Sequence, residues 1–480
     1  MEKRSCALCF AAALSLGVPF KDGMVLQRDM PAKIWGKAGG GEKVEISFAG
    51  QNLSVTAGED GRFMAAFEPL KASFEPRVLK AVSSGGGEVA VSNVLVGEVW
   101  IAAGQSNMAV PLTSFNPRAC DRNGGLVSQW TLRPHVRLAV MPSKKASSPA
   151  MDGSVTWRQM GPNSGASGFS AVGWFFAREL ADTLGVPVGV LGAYVGATSI
   201  DSWMPKEHFR FEPSKRKGND PCVYWNGMVA PLVPFAVRGL IWYQGERNSK
   251  PDEWPIYCRK LHAMYDGWKD KFKNPALKMR FVQLAPWGSE TVPQTQCEQQ
   301  KFADEEPNAA LCVINDIGNL ADIHPNDKEP VALRLAALAF KYDYGFDKIV
   351  ADSPRPGIVQ TRNGKVEISC LNANRLYIYL PEWTYRFKPE ATAELGFELA
   401  GSDGTWHPAA IENLTLTKTG EKTSCRRGQL DGTRIILSSP EVTAPVSVRY
   451  LFKRPWRGCL YNEANLPMGA FCTAVKTQSP

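Results

Sequence analysis

The stretch that decides the fold is Val94–Ala103, with the sequence VLVGEVWIAA, followed directly by Gly104–Met108, with the sequence GQSNM. A run this rich in apolar residues predicts a buried strand of an open sheet. Ligands of open α/β sheets bind outside the carboxyl ends of the strands. Ser106 comes just after this strand, between small and amide-bearing residues. This is where the nucleophile of an acyl-transfer enzyme would stand.

Residues 94–355 alternate between strand and helix patterns, which predicts an α/β fold with a mostly parallel sheet and helices on both faces. The strand patterns cover 94–103, 186–194, 236–243, 278–284 and 309–314, and the helix patterns cover 170–184, 253–272 and 326–342. Short apolar runs between turn-forming residues predict β-sandwich-like regions before and after this part, at 18–93 and 356–480. The expected architecture is therefore β, then α/β, then β.

The composition indicates a soluble globular protein, because 44% of the 480 residues are hydrophobic and 21% are charged. A chain of this length predicts about two or three domains. The net charge of +8 is spread along the sequence, and its densest run, Lys215–Lys217, carries no interleaved aromatic residues. This pattern argues against a nucleic-acid partner. No later segment approaches the roughly 18 uninterrupted apolar residues of a membrane helix, so no membrane span is expected.

The N-terminus combines the basic start Met1–Arg4 with the short apolar stretch Ser5–Leu16. This pattern predicts a signal peptide at residues 1–17 and export to the periplasm or the outside of the cell. The alternative is that the same stretch forms the first strand of the mature domain. In an exported protein one or two disulfides would be expected, but the eleven cysteines are odd in number and cannot all pair. Cys312 lies in an apolar run and is predicted to be a buried small hydrophobic residue.

A serine hydroxyl needs a base to take its proton, and histidine suits that role near neutral pH. The chain has five histidines, which are His135, His208, His262, His324 and His407. Only His324 occupies a loop between a predicted strand and a predicted helix, at the edge of the sheet where Ser106 should lie. The alternative for a single histidine is a structural role at a helix end or at the edge of the core. The serine motif and a neighbouring acid favour the catalytic role.

The imidazole of a catalytic histidine is usually held by a carboxylate. Asp322 is the first choice, and Asp316 and Asp327 are the alternatives. The oxyanion formed by attack on an ester needs preorganised donors. Two segments that follow predicted strands can supply them: the glycine-containing Gly192–Thr198 and the amide-containing Trp242–Asn248.

Four blocks in this order carry a resemblance to a known family: GQSNM at 104–108, GAT at 196–198, YQGE at 243–246 and DIHP at 322–325. They resemble the blocks of the sialate O-acetylesterases, which belong to the SGNH/GDSL-type hydrolase superfamily. The segments 22–28, 224–228 and 460–463 are also typical of that family, so the resemblance extends over nearly the whole chain. It implies an SGNH-hydrolase-like three-layer sandwich for the α/β region.

Position by position, the resemblance implies Ser106 as the nucleophile, His324 as the general base and Asp322 as the acid. The oxyanion hole would comprise the Ser106 N–H, the Gly196 N–H and the side-chain amide of Gln244. The superfamily often places its acid three residues before the histidine, where this chain has Ala321, so a Ser–His dyad is an alternative. Valine precedes Gly196 where relatives often have a second glycine. The residues expected to bind substrate are Gln105, Asn107, Trp203, Asn226, Glu246, Arg247 and Asn248.

The predicted function is that of an exported serine carboxylesterase that removes O-acetyl groups from sugars, with sialic acid as the leading substrate. No metal or organic cofactor is expected. Trp203, Trp225 and Tyr243 are candidates for stacking on sugar rings, and Arg247 is a candidate partner for a sialate carboxylate. One alternative is an acetylxylan or other polysaccharide acetylesterase. An alternative of another class is a non-catalytic carbohydrate-binding protein that uses its β domains.

Overall fold

The computed structural model describes residues 14–114, 133–160, 168–213, 220–318, 322–380, 395–418, 426–430, 432–452 and 458–476. Several sequence predictions therefore lie outside the described residues: most of the signal peptide, the Lys215–Lys217 run, Ala321, and four cysteines at positions 6, 9, 120 and 425. The other seven cysteines are described, and all seven are free thiols. Cys312 is buried in the core, as predicted.

The N-terminal region is all β. Its strands are β1 Ser15–Leu16, β2 Val25–Gln27, β3 Ala32–Lys37, β4 Lys43–Phe48, β5 Gln51–Thr56, β6 Arg62–Phe67, β7 Ser73–Ser83 and β8 Glu88–Gly104. Strands β1, β3 and β6 form one antiparallel sheet, and β4 pairs with β5 and β7 in another. Strand β1 pairs with residues 36 and 37, and Leu14 is buried. The predicted signal peptide, 1–17, therefore overlaps the folded domain at residues 14–17.

Strand β8 belongs to both the N-terminal region and the α/β region, because its 17 residues pair with β7 at one end and with core strands at the other. The further strands of the α/β region are β9 Arg133–Val140, β10 Arg158–Met160, β11 Val188–Tyr194, β12 Gly239–Tyr243, β13 Lys278–Val282 and β14 Ala309–Cys312. Their order is β10-β9-β11-β8-β12-β13-β14. The pairings from β9 to β14 are parallel, and β10 is antiparallel at the edge.

The expectation of a mostly parallel sheet needs correction, because the complete sheet has eleven strands and is mixed. The physical reason is the length of β8. Its first half continues the antiparallel ladder of the N-terminal region, and its second half is the central strand of the parallel part. The two regions share a strand, so the sheet does not end at the predicted domain limit between residues 93 and 94.

Helices cover both faces of the parallel part. They are α1 Ser106–Ala109, α2 Ala171–Leu184, α3 Tyr257–Phe272, α4 Val292–Glu305 and α5 Glu329–Asp343. Alternate residues of β8 point into two different hydrophobic clusters, Trp100 into the one that holds α2 and α5 and Ile101 into the one that holds α3. This alternation follows from the two-residue period of a strand and places the core on both sides of the sheet. Among the described residues, no helix is long and apolar enough to cross a membrane.

The C-terminal region is again all β, as predicted. Its strands are β15 Arg355–Arg362, β16 Lys365–Leu371, β17 Leu376–Leu380, β18 Phe397–Ala400, β19 Trp406–Pro408, β20 Ala410–Ile411, β21 Leu414–Lys418, β22 Arg426–Leu430, β23 Arg434–Ser438, β24 Ser447–Tyr450, β25 Leu460–Asn462 and β26 Phe471–Ala474. They form three four-stranded sheets around a hydrophobic core of their own.

Candidate active site

Ser106 lies at the carboxyl end of the central strand, where β8 ends and α1 begins. Gly104 closes the strand with a φ of +136°, and a Cβ atom there would lie 2.2 Å from the carbonyl oxygen of Tyr243. Only glycine tolerates both the conformation and the contact. The Gln105 N–H donates to the same carbonyl oxygen at 3.0 Å. This arrangement turns the chain sharply and leaves Ser106 half-buried at the edge of the sheet.

His324 is the histidine that meets Ser106. Its Nε2 atom lies 2.9 Å from the Ser106 Oγ atom, although 218 residues separate the two in sequence. The other four have different neighbours: His135 packs on Phe74, His208 lies near Asp270, His262 pairs with Glu305, and His407 is in β19. The contact has the distance that a nucleophile and its general base require.

Asp322 contacts the histidine twice. Its Oδ1 atom accepts the backbone N–H of His324 at 2.9 Å and lies 3.3 Å from His324 Nδ1. The backbone hydrogen bond holds the pKa of the Asp322 carboxyl below its usual range. The carboxylate is open to water, with 51% of its side chain exposed. The carboxylate is therefore well placed to orient the imidazole, but solvent screens the electrostatic interaction between the two groups.

The two alternative acids have other environments. Asp316 forms a two-point ion pair with Arg334, with both N–O distances at 2.7 Å. Asp327 has an exposed side chain, although nearby protein atoms desolvate its carboxyl enough to raise the pKa. Among the acids predicted from the sequence, Asp322 is thus the one that the structure brings to His324.

Gly196 lies against the serine. A Cβ atom on Gly196 would be 3.5 Å from the Ser106 Cβ atom, and the Val195 N–H donates to the Gly104 carbonyl oxygen at 3.1 Å. Within the described residues, the backbone N–H groups of Ser106 and Gly196 have no hydrogen-bond acceptor. Two unpaired donors beside a nucleophile can stabilise an oxyanion.

The Gln244 amide is already engaged inside the protein. Its Nε2 atom has acceptors on Asn248 at 2.8 Å, Thr198 at 3.0 Å and Gln105 at 3.2 Å. Its Oε1 atom accepts from the Tyr257 hydroxyl at 2.7 Å. An amide group has only two N–H protons, so none is left for an oxyanion. In this arrangement the Gln244 amide has no free N–H group for an oxyanion, and its Nε2 atom contacts Gln105 Oε1.

Several residues predicted to bind substrate are buried in the structure and contact other protein groups. Trp203 is fully buried and stacks on Tyr224 at a centroid distance of 5.3 Å. Asn248 is fully buried between Gln244 and Glu253. Asn226 is buried, and its Nδ2 atom donates to the Ala146 carbonyl oxygen.

The aromatic side chains nominated for sugar stacking follow the same pattern. Tyr243 and Trp225 belong to the core, with at most 3% of their surface exposed. Large aromatic side chains supply much of the apolar area that a core buries, which accounts for the position of these two rings. Arg247, by contrast, is partly exposed, and its backbone N–H donates to Gln105 Oε1 at 3.4 Å.

The family model described as carbohydrate esterase, sialic acid-specific acetylesterase, matches residues 96–336, which is half of the chain. A carbohydrate acetylesterase from Xanthomonas citri, known from its crystal structure, is 31% identical with a TM-score of 0.82, over 96% of this chain and 99% of that one. The chain belongs to this carbohydrate esterase family. It is therefore a carboxylic ester hydrolase with an α/β carbohydrate esterase fold.

Curated relatives of this carbohydrate esterase are sialate O-acetylesterases, the family that the sequence blocks predicted. The rat sialate O-acetylesterase is 24% identical over 86% of this chain and 87% of its own length. The human sialate O-acetylesterase is 27% identical over 69% of this chain and 72% of its own length. The resemblance to sialate O-acetylesterases is thus confirmed at the level of the family.

The carbohydrate esterase has a buried polar network directly beneath its serine. Asn107 is fully buried, and its Nδ2 atom donates to Glu246 Oε1 at 2.5 Å and to the Ile323 carbonyl oxygen at 3.0 Å. Lys328 Nζ donates to Asn107 Oδ1 at 2.5 Å. Asn107 therefore links the serine turn to the residue that precedes His324. Lys328 was missed by sequence reasoning, and only its nearness to the DIHP block could have suggested it.

Burial perturbs both ionisable members of this network. It raises the pKa of the Glu246 carboxyl, whose Oε2 atom has no hydrogen-bond partner within the described part of the chain. It lowers the pKa of Lys328 from the usual 10.5 to about 8, against the attraction of Glu246. Desolvation disfavours the charged form of each group, and mutual attraction offsets only part of that cost.

We expect this network to produce an alkaline rise in stability. Between about pH 8 and 10.5, unfolded Lys328 is protonated when native Lys328 is not. The free energy of unfolding then increases with pH, by roughly 3 kcal/mol over that interval. Urea unfolding of the wild type and of Lys328→Met at pH 7.5 to 10.5 measures this rise, because the variant lacks the titrating amine and only the pH dependence of the difference is compared. A constant difference between the two proteins would contradict the prediction.

Proposed function

We propose that this protein is a serine carboxylesterase that removes O-acetyl groups from sugars, most of all from sialic acid. The observation that carries the proposal is the 2.9 Å contact between Ser106 Oγ and His324 Nε2 at the carboxyl end of the central strand. The family supports ester hydrolysis on a carbohydrate. A non-catalytic binding module would have no need for this pair or for unpaired N–H groups beside it.

In the proposed cycle, Ser106 Oγ attacks the acetyl carbonyl carbon while His324 Nε2 accepts the hydroxyl proton. The tetrahedral intermediate then collapses, the C–O bond to the sugar breaks, and His324 returns the proton to the departing sugar oxygen. A water molecule next loses a proton to His324 and attacks the acetyl-enzyme. Collapse of the second intermediate releases acetate and returns the proton to Ser106 Oγ.

The proposed oxyanion hole consists of the backbone N–H groups of Ser106 and Gly196. Both lack an acceptor within the described residues, and a Cβ atom on Gly196 would lie 3.5 Å from the Ser106 Cβ atom. Gln105 is the candidate for a third donor, because its Oε1 atom is held by Gln244 and Arg247 while its Nε2 atom has no partner within the described chain. We propose that Gln244 positions Gln105 and does not touch the substrate.

Asp322 is the proposed third member of the triad. It lies 3.3 Å from His324 Nδ1 and favours the tautomer in which Nε2 is free to accept the serine proton. Because half of its side chain is exposed, solvent competes for this contact. Asp322 is therefore proposed to support His324 less strongly than the buried acid of a full triad does, but more than a Ser–His dyad without an acid would allow.

The α/β region is proposed to be an SGNH-hydrolase-like three-layer sandwich, within the limits 94–355 expected from the sequence. The regions 18–93 and 356–480 are proposed as β domains, with β8 shared across the first limit.

Export to the periplasm or the outside of the cell is proposed from the N-terminal pattern of basic and apolar residues. Arg247, partly exposed beside Gln105, is the proposed partner of a sialate carboxylate.

Acetate release from 9-O-acetylated sialic acid and from acetylated xylan tests the proposal. We expect release from the sialate, with the lower KM for that substrate, because the curated relatives are sialate O-acetylesterases. Preference for xylan would replace sialate by a plant polysaccharide and retain the catalytic residues. Absence of release from both substrates would overturn the proposed substrate class.

A further inference from the structure

A cavity of about 610 Å³ lies where the C-terminal β region meets the α/β region. Its walls include Tyr377 of β17, Tyr461 of β25 and the ion pair of Asp316 with Arg334. The volume falls within the range of about 300–1,000 Å³ that is usual for small-molecule sites. The cavity is separate from the group of residues around Ser106, and the proposed mechanism does not use it.

The cavity contains a rigid aromatic surface. Tyr377 and Tyr461 are direct partners across antiparallel strands, and their rings stack with centroids 5.6 Å apart and planes 18° from parallel. The Tyr461 hydroxyl donates to the Gly458 carbonyl oxygen at 3.3 Å, and the Tyr377 hydroxyl donates to Asn465 Oδ1. The rings are thus fixed before any ligand arrives. Flat, fixed rings suit the C–H-rich face of a pyranose, which packs by apolar contact.

Open hydrogen-bonding groups surround these rings. Within the described chain, the side chains of Arg375 and Gln429 make no hydrogen bond or ion pair, and neither does the Asn465 Nδ2 atom. In contrast, Asp316 and Arg334 satisfy each other through two contacts of 2.7 Å. The lining also includes the Glu463 carboxylate, which accepts hydrogen bonds from the Asn374 side chain and from the backbone N–H groups of Asn374 and Arg375. The groups that remain open are one cation and two amides, which together donate to and accept from hydroxyl groups.

We propose that this cavity binds a sugar unit of the acetylated glycan, at a distance in the chain from the acetyl group that is removed. This inference rests on the proposed function and adds a second contact for the same substrate. The two sites are close in sequence, because Asp316 of the cavity wall precedes Asp322 by six residues and His324 by eight. A glycan held here gains affinity through multivalency without touching the catalytic groups.

Binding is measured by calorimetry on Ser106→Ala, with the deacetylated probes sialyllactose and xylohexaose, so that turnover does not interfere. We expect the Arg375→Ala and Gln429→Ala changes together to raise the Kd of the probe by about 10-fold or more. The reason is that they remove hydrogen bonds to the sugar, including those of a charged donor. Both side chains are exposed and unpaired, so the fold should be retained. Arg210→Ala, another exposed arginine, is the matched control and should bind as Ser106→Ala alone.

The same pair of changes, made with Ser106 intact, should raise KM for the acetylated glycan and leave hydrolysis of p-nitrophenyl acetate unchanged. If the protein prefers sialyllactose and loses this preference with Arg375→Ala, the inference is supported. The Arg375 guanidinium is then the partner of the sialic acid carboxylate. Preference for xylohexaose supports the inference for a neutral chain. The inference is overturned if neither probe binds, or if the affinity is the same with and without the Arg375→Ala and Gln429→Ala changes. Loss of serine-dependent acetate release would instead overturn the proposed function, so the two failures are distinguishable.

Discussion

Ser106→Ala should lower kcat/KM for acetate release on the order of 10⁴-fold or more, because the variant has no nucleophile to form the acetyl-enzyme. The residual rate would come from the unpaired N–H groups of Ser106 and Gly196, which remain in place and still polarise a carbonyl. Acetate release from an O-acetylated sugar, measured over enzyme concentrations that reveal a slow variant, gives the ratio. A loss of less than about tenfold would exclude Ser106 as the nucleophile.

The folded state should tolerate this substitution. Ser106 is half-buried, and within the described residues its Oγ atom makes one hydrogen bond, to the part-exposed His324, whose Nε2 atom can bond to water instead. Thermal unfolding of Ser106→Ala should therefore match that of the wild type. Ser402→Ala, which alters an exposed serine of the C-terminal region, is the control. Only Ser106→Ala should abolish covalent labelling by a fluorophosphonate probe.

The parts of the site predicted from the sequence are those that depend on local pattern. The apolar run before Ser106 indicated the central strand, and the position of His324 between a strand and a helix indicated the base. Ser170 before an apolar helical pattern indicated the start of α2, and its hydroxyl indeed accepts the Gly173 N–H at 3.0 Å. Each of these features is encoded within a few residues of its location.

The parts that escaped prediction depend on contacts between distant segments. Helix α4, with the sequence VPQTQCEQQKFADE, has few apolar residues and was not predicted, because its burial is decided by polar partners such as Gln299. The engagement of Gln244 with three acceptors required the positions of Thr198 and Asn248. Motif membership suggested contact with substrate, whereas the hydrogen bonds of these amides to other protein groups could be read only from the structure.

His324→Ala should also lower kcat/KM by about 10⁴-fold, since the serine loses the group that accepts its proton. Steady-state acetate release measures the loss, and His208→Ala provides the control, because that histidine lies near Asp270 and away from the serine. Asp322→Asn should cost far less, on the order of tenfold, since solvent already screens its contact with the imidazole. An effect of Asp322→Asn as large as that of His324→Ala would contradict the exposed geometry.

The double variant Ser106→Ala/His324→Ala distinguishes a working pair from two independent contributors. If His324 acts only by taking the Ser106 proton, its removal has no further consequence once the hydroxyl is gone. The double variant should then be as active as Ser106→Ala, rather than slower by the product of the two single effects. A multiplicative loss would mean that His324 assists the reaction without the serine, for instance by activating water directly. The 2.9 Å contact of Nε2 with Oγ favours the first outcome, because it places the serine oxygen within hydrogen-bond distance of the imidazole.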